Sequence, residues 1–260
     1  MFHAPAAYLY EGKNSTAYYC LKDPEALVIF VHGFKGTSLE TWDDFSSLLI
    51  EHPSFANCDL FFYGYESIKG QAFDQGQELL RFINNNHKPK SPFRNRNPKM
   101  YSKIVIAAHS LGAIVARFAI LGSIEQNYDW RKMCKLVLFA PAHNGARIQS
   151  LIMDSLDGFY KVIGGITMFF LPIIDDLKPD SAALHRLRTE TEDYRGGPEH
   201  MLLNASVLHV FGDRIVHNAP FCFDVFVKES PIRNHSHKSI CKPMLINNYL
   251  LPIEIIRDQL

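Results

Sequence analysis

The run Lys103–Arg117 (KIVIAAHSLGAIVAR) narrows the possible fold more than any other stretch of the chain. Ile104, Val105 and Ile106 are apolar and β-branched and read as a buried strand, and from Leu111 the apolar residues recur with a helical period. Between the two lies only Ala108-His109-Ser110-Leu111-Gly112. A serine at a strand-to-helix junction, with small residues two before and two after it, is the layout of a nucleophile elbow. The sharp, strained turn lifts the hydroxyl above a sheet, and bulkier neighbours would collide with the next strand or helix. Ala108 stands where glycine is commoner and respects the same volume limit.

The rest of the chain alternates in the same way. Apolar runs at Ala26–Val31, Leu60–Tyr63, Lys103–Ala108, Lys135–Ala140, Ser206–Phe211 and Asp224–Val227 read as strands. Helical spacing appears over Leu39–Glu51, Gly70–Asn86, Leu111 to Leu121 and Ile240–Arg257, the last limited by Pro243 and Pro252. Ala6–Leu9 and Ala17–Cys20 read as an edge hairpin. Strands alternating with helices predict a mostly parallel, doubly wound sheet flanked by helices. A chain of 260 residues can bury one large core, so residues 1–260 are read as a single α/β domain.

Composition excludes several classes of function. With 27 basic and 27 acidic residues the formal net charge is zero, so no overall field favours nucleic acid. The basic, proline-rich stretch His87–Lys99 reads as a solvated loop. Cys20, Cys58, Cys134, Cys222 and Cys241 are odd in number, scattered and never in a C-x-x-C pair, which predicts free thiols rather than a disulfide framework or a zinc site. The first residues lack a secretory pattern, so a cytoplasmic location is expected. The apolar segment Val162–Ile174 (VIGGITMFFLPII) is too short to span a bilayer. It is expected to roof an apolar site, with peripheral membrane contact as a further role. Gly12-Lys13-Asn14-Ser15 departs from a P-loop at Ala7 and Asn14, and no G-x-G-x-x-G follows a strand, so no cofactor or metal is expected.

A serine is a weak nucleophile and needs a base, an acid to orient that base, and donors for the oxyanion. Asp213 follows the strand Ser206–Phe211 and lies on the rim where functional groups gather in open α/β sheets. Asp224, Asp175 and Asp176 are its rivals. For the base, His235 and His237 both precede the last helix, and an extended segment can aim only one of them at Ser110. His32, His109, His143, His209 and His217 are worse placed. Beyond Gly33, the N–H of Phe34 can converge with the N–H of Leu111 as an oxyanion site.

On these motifs the chain resembles the α/β-hydrolase superfamily, and within it lipase-like serine hydrolases, from about Leu27 to Pro243. The residues that carry the resemblance are IFVHGFKG, AAHSLGAIVARF, LVLFAPAHNGARI with its Pro141-x-x-x-Gly145 turn, and DLKPDSAALHRL. The ending His237-Lys-Ser-Ile-Cys-Lys is similar to the family's, and this selects His237 over His235. The resemblance implies an α/β-hydrolase fold and a triad of Ser110, Asp213 and His237. Phe34 and Leu111 would serve as oxyanion donors, and residues 146–201 as a cap or lid insertion. It implies cleavage of carboxylic esters, of lipid-like or medium and long acyl type, through an acyl-enzyme. Thioesterase or transacylase chemistry uses the same parts. A non-catalytic binding protein on this fold would be marked by a lost triad member.

Overall fold

The computed structural model describes residues 2–9, 12–89, 100–155 and 171–260. Eight strands form one sheet: β1 (Ala7–Leu9), β2 (Ser15–Tyr18), β3 (Ala26–Val31), β4 (Cys58–Tyr63), β5 (Lys103–His109), β6 (Cys134–Phe139), β7 (Ala205–Leu208) and β8 (Val225–Phe226). Their order is β1-β2-β4-β3-β5-β6-β7-β8. Pairing is parallel from β4 through β8 and antiparallel at β1–β2 and β2–β4. Every residue of β3 and β4 is buried, as expected of parallel strands covered on both faces.

The helices are α1 (Phe45–Glu51), α2 (Ala72–Asn86), α3 (Leu111–Glu125), α4 (Ile148–Ser155), α5 (Pro172–Asp176), α6 (Ala182–Glu192), α7 (His200–Leu203) and α8 (Leu251–Arg257). On α3, every residue from Leu111 to Ile124 is buried, so this helix lies in the core instead of covering it. A Cβ on Gly112 would lie 2.4 Å from the carbonyl oxygen of Val31, and one on Gly76 of α2 would lie 2.4 Å from Phe118 Cβ. Only glycine permits α3 to approach β3 and α2 this closely. On one side of the sheet Phe30 stacks on Phe62 at 4.4 Å and meets the edge of Trp42 at 5.0 Å.

Several elements differ from the sequence reading, each for a local reason. The helix expected from Ile240 begins only at Leu251. Pro243 interrupts it, and Met244 and Tyr249 bridge antiparallel across a turn in which Asn248 adopts φ +51°. The helix expected from Leu39 begins at Phe45, after Asp43 takes φ +52°. The strand expected to reach Phe211 ends at Leu208, after which Val210 makes an isolated parallel bridge to Ile232. β8 spans only two residues. The edge hairpin is formed, but its second strand starts at Ser15, with Ala7 opposite Ala17 and Leu9 opposite Ser15. The five cysteines are free, four of them buried.

Candidate active site

At the C-terminal end of β5 the chain turns directly into α3, with Ser110 at φ +54° and ψ −119°. A non-glycine residue holds such a conformation only when its surroundings over-determine it. The Ser110 amide donates to Phe139 O, and its carbonyl accepts from Ala113 and Ala142. Space is equally tight: a Cβ on Gly33 would lie 3.0 Å from Ser110 Cβ. Ser110 occupies the cap position of α3, yet its hydroxyl caps no amide. It is engaged elsewhere.

Ser110 Oγ lies 2.9 Å from His237 Nε2, and His237 Nδ1 lies 3.0 Å from Asp213 Oδ2. A carboxylate only accepts, so Nδ1 carries the proton and Nε2 is left to accept from the serine hydroxyl. The other oxygen of Asp213 accepts from the amides of Ile215 at 2.7 Å and Val216 at 3.2 Å. Burial pushes the Asp213 carboxyl up, but His237 and these two amides together hold it below the ordinary carboxylate range. Arg147 donates to the main-chain oxygen of Asp213 at 2.8 Å and fixes the turn that carries it. Neither Arg147 nor the two amides could be found from residue type, because their part is defined by backbone geometry.

The rival residues have other partners. Asp224 pairs with Arg117 through both oxygens, the two side chains fully buried, and Arg117 also donates to Leu203 O. Burial raises the Asp224 carboxyl, and Arg117 opposes that rise. Asp176 accepts from the amide of Ala72 at 2.7 Å, and Asp175 pairs with Lys178 on the surface. His235 stacks on Tyr249 with ring centroids 3.8 Å apart. His32 donates to Gly33 O at 2.9 Å and stacks on Tyr65, and burial lowers it to about 4. His143 stacks on Phe221.

Phe34 follows Gly33 on the loop after β3, and Leu111 opens α3. Their amides make no hydrogen bond among the described residues. Two cavities flank the side chains of Ser110, His237 and Asp213. One of about 490 Å³ is lined by Met153, Val210, Phe211, Ile215 and His237 among others, and one of about 370 Å³ by Phe34, His109, Lys238 and Lys242 among others. Of the apolar segment expected to roof the site, residues 162–170 lie outside the described residues. Ile173 and Ile174 are packed in the core.

Residues 21–146 match the family described as "Putative serine esterase (DUF676)". The same fold is found in three solved hydrolases. Mature lipase BlEst2 of Bacillus licheniformis superposes with a TM-score of 0.60 at 16% identity, over 93% of this chain and 98% of that one.

The chain has the α/β-hydrolase fold, and just under half of it matches a serine esterase family.

The chain is also similar to esterase B of Lactobacillus rhamnosis, with a TM-score of 0.53 at 14% identity over 98% of this chain and 84% of that one. Est1E of Butyrivibrio proteoclasticus gives 0.51 at 17% identity, over 98% and 97% of the two chains. At such identities the likeness is one of fold. No curated protein matches the chain by sequence. The family match includes Phe34, Ser110 and Leu111 of the site; Asp213 and His237 fall beyond it.

Proposed function

We propose that this hydrolase cleaves carboxylic esters through an acyl-enzyme on Ser110, with His237 as base and Asp213 as orienting acid. The hydrogen-bonded chain from Ser110 Oγ through His237 to Asp213 carries this reading. His237 Nε2 takes the hydroxyl proton as Ser110 Oγ attacks the acyl carbon, then returns it to the leaving alcohol. Asp213 holds the tautomer and stabilises the imidazolium. The amides of Phe34 and Leu111 receive the developing oxyanion, the latter at a helix N-terminus where backbone dipoles favour negative charge. Water, activated by His237, then releases the acid. No step calls for a metal or cofactor.

The substrate reading is lipid-like or medium and long acyl esters, with residues 146–201 as a cap over the site. The cavity beside His237 falls in the size range of small-molecule sites, and Met153, Val210, Phe211 and Ile215 give it apolar walls. Each methylene buried there contributes about 0.8 kcal/mol. The apolar sequence of 162–174, whose Ile173 and Ile174 pack in the core, supports the same reading and, with it, peripheral membrane contact.

Two measurements test this. A fluorophosphonate probe labels the wild-type protein, and Ser110→Ala abolishes both label and turnover, a loss on the order of 10⁶ in rate. Across p-nitrophenyl esters of increasing acyl length, kcat/KM peaks at medium or long chains. A maximum at acetate would sink the lipid-like reading and leave a small-ester hydrolase.

A further inference from the structure

We infer that His109 is a positioning residue for this reaction: its Nε2–H holds the main-chain carbonyl of His237 and so fixes the base against the nucleophile. This rests on the reading of Ser110 and His237 given above. His109 ends β5 and adjoins Ser110, so its ring moves with the sheet. Its Nε2 lies 2.8 Å from His237 O, and the two rings are 4.9 Å apart. His237 sits in a loop with neither strand nor helix. The main-chain bonds of that loop are local, such as Ser239 to Ser236 and Lys242 to Ser239. The His109 bond ties the backbone of the base itself to the strand that bears the nucleophile.

The choice of residue supports this role. A carbonyl oxygen only accepts, so His109 carries its proton on Nε2 and leaves Nδ1 a bare acceptor. That Nδ1 is buried without a partner among the described residues. It faces the loop at Gly33, where a Cβ would lie 3.1 Å away. An unsatisfied buried acceptor costs stability, so the second nitrogen brings the fold no gain. What the imidazole does supply is one N–H at a fixed height beside Ser110. Burial, reinforced by the His237 charge, lowers His109 to about 3. It therefore stays neutral at pH 7 and adds no charge beside His237 when that ring becomes an imidazolium.

Glutamine and methionine side chains separate the donor from the bulk, having the same reach with and without an N–H. His109→Met should lower kcat about 10²-fold, the scale of an ångström-sized misplacement, with KM little changed. The rate of fluorophosphonate labelling should fall in parallel. His109→Gln should recover most of the loss. The downfield imidazole N–H resonance of the His237–Asp213 bond should persist in His109→Gln and broaden or shift in His109→Met. Where the methionine variant does not fold, His109→Leu takes its place. A methionine variant with wild-type kcat, or a glutamine variant as slow as methionine, overturns the inference. A wild-type protein that takes no label overturns the reading of Ser110 first, and this inference with it.

Discussion

At the scale of single residues, two aspartates of similar sequence promise have opposite work. Asp213 faces an imidazole and two amides, whereas Asp224 neutralises a buried guanidinium. Asp213→Asn should leave folding nearly intact and lower kcat by about 10⁴, since the amide favours the wrong tautomer of His237. Asp224→Asn should instead strand the charge of Arg117 and cost about 3–5 kcal/mol of stability, with the folded fraction still turning over. Thermal melts run beside ester kinetics on both variants separate the two outcomes; the reverse ranking would transfer the acid to Asp224. For the histidine pair, His237→Ala should match Ser110→Ala in severity, while His235→Ala, which loses a stack on Tyr249, should keep most turnover. The elbow at Ser110 was legible in the sequence because strand, turn and helix follow one another directly, whereas residue spacing left Asp213 as one of several aspartates. The preference for His237 came from family resemblance alone, since alternation fixes that one of two histidines faces inward and not which.

At the scale of elements, the elbow depends on how closely α3 lies on β3. Gly112 makes that approach possible, with the Val31 and His32 carbonyls at 2.4 and 2.5 Å from where a Cβ would stand. Gly112→Ala should push the first turn of α3 away from β3 at a cost of about 1–3 kcal/mol, as overpacked sites do. It should also slow fluorophosphonate labelling, because the Leu111 amide moves with that turn. If denaturant midpoint and labelling rate both stay at wild type, the contact is looser than it stands. Helical periodicity exposed α2 and α3 well, and the β-branched runs exposed β3 and β5. It overextended α1 and α8, because Pro243 and the left-handed turns at Asp43 and Asn248 end a helix that the apolar spacing alone would continue.

At the scale of the whole molecule, three buried histidines tie stability to pH. Burial lowers His32 to about 4 and His109 to about 3, and holds His143 well below the ordinary 6.5. All three are neutral in the fold, while the unfolded chain binds a proton on each below about 6.5. The unfolded state then holds more protons, so the contribution is complete above pH 6.5 and is lost as pH falls through the window down to 3–4. Three such groups give a slope of roughly 4 kcal/mol per pH unit in that window. Urea unfolding at pH 7.5, 6 and 5 measures it, and a flat stability across that range would mean that these rings are hydrated. The sequence by itself determined the alternating α/β pattern and the elbow that carries Ser110, since each is written in neighbouring residues whose size and period constrain the backbone locally. The tertiary structure alone decided which aspartate meets the imidazole, that His109 braces the base loop, and that His237 reaches Ser110. Those contacts join residues up to 128 positions apart, and their geometry is set by the register and packing of a whole sheet.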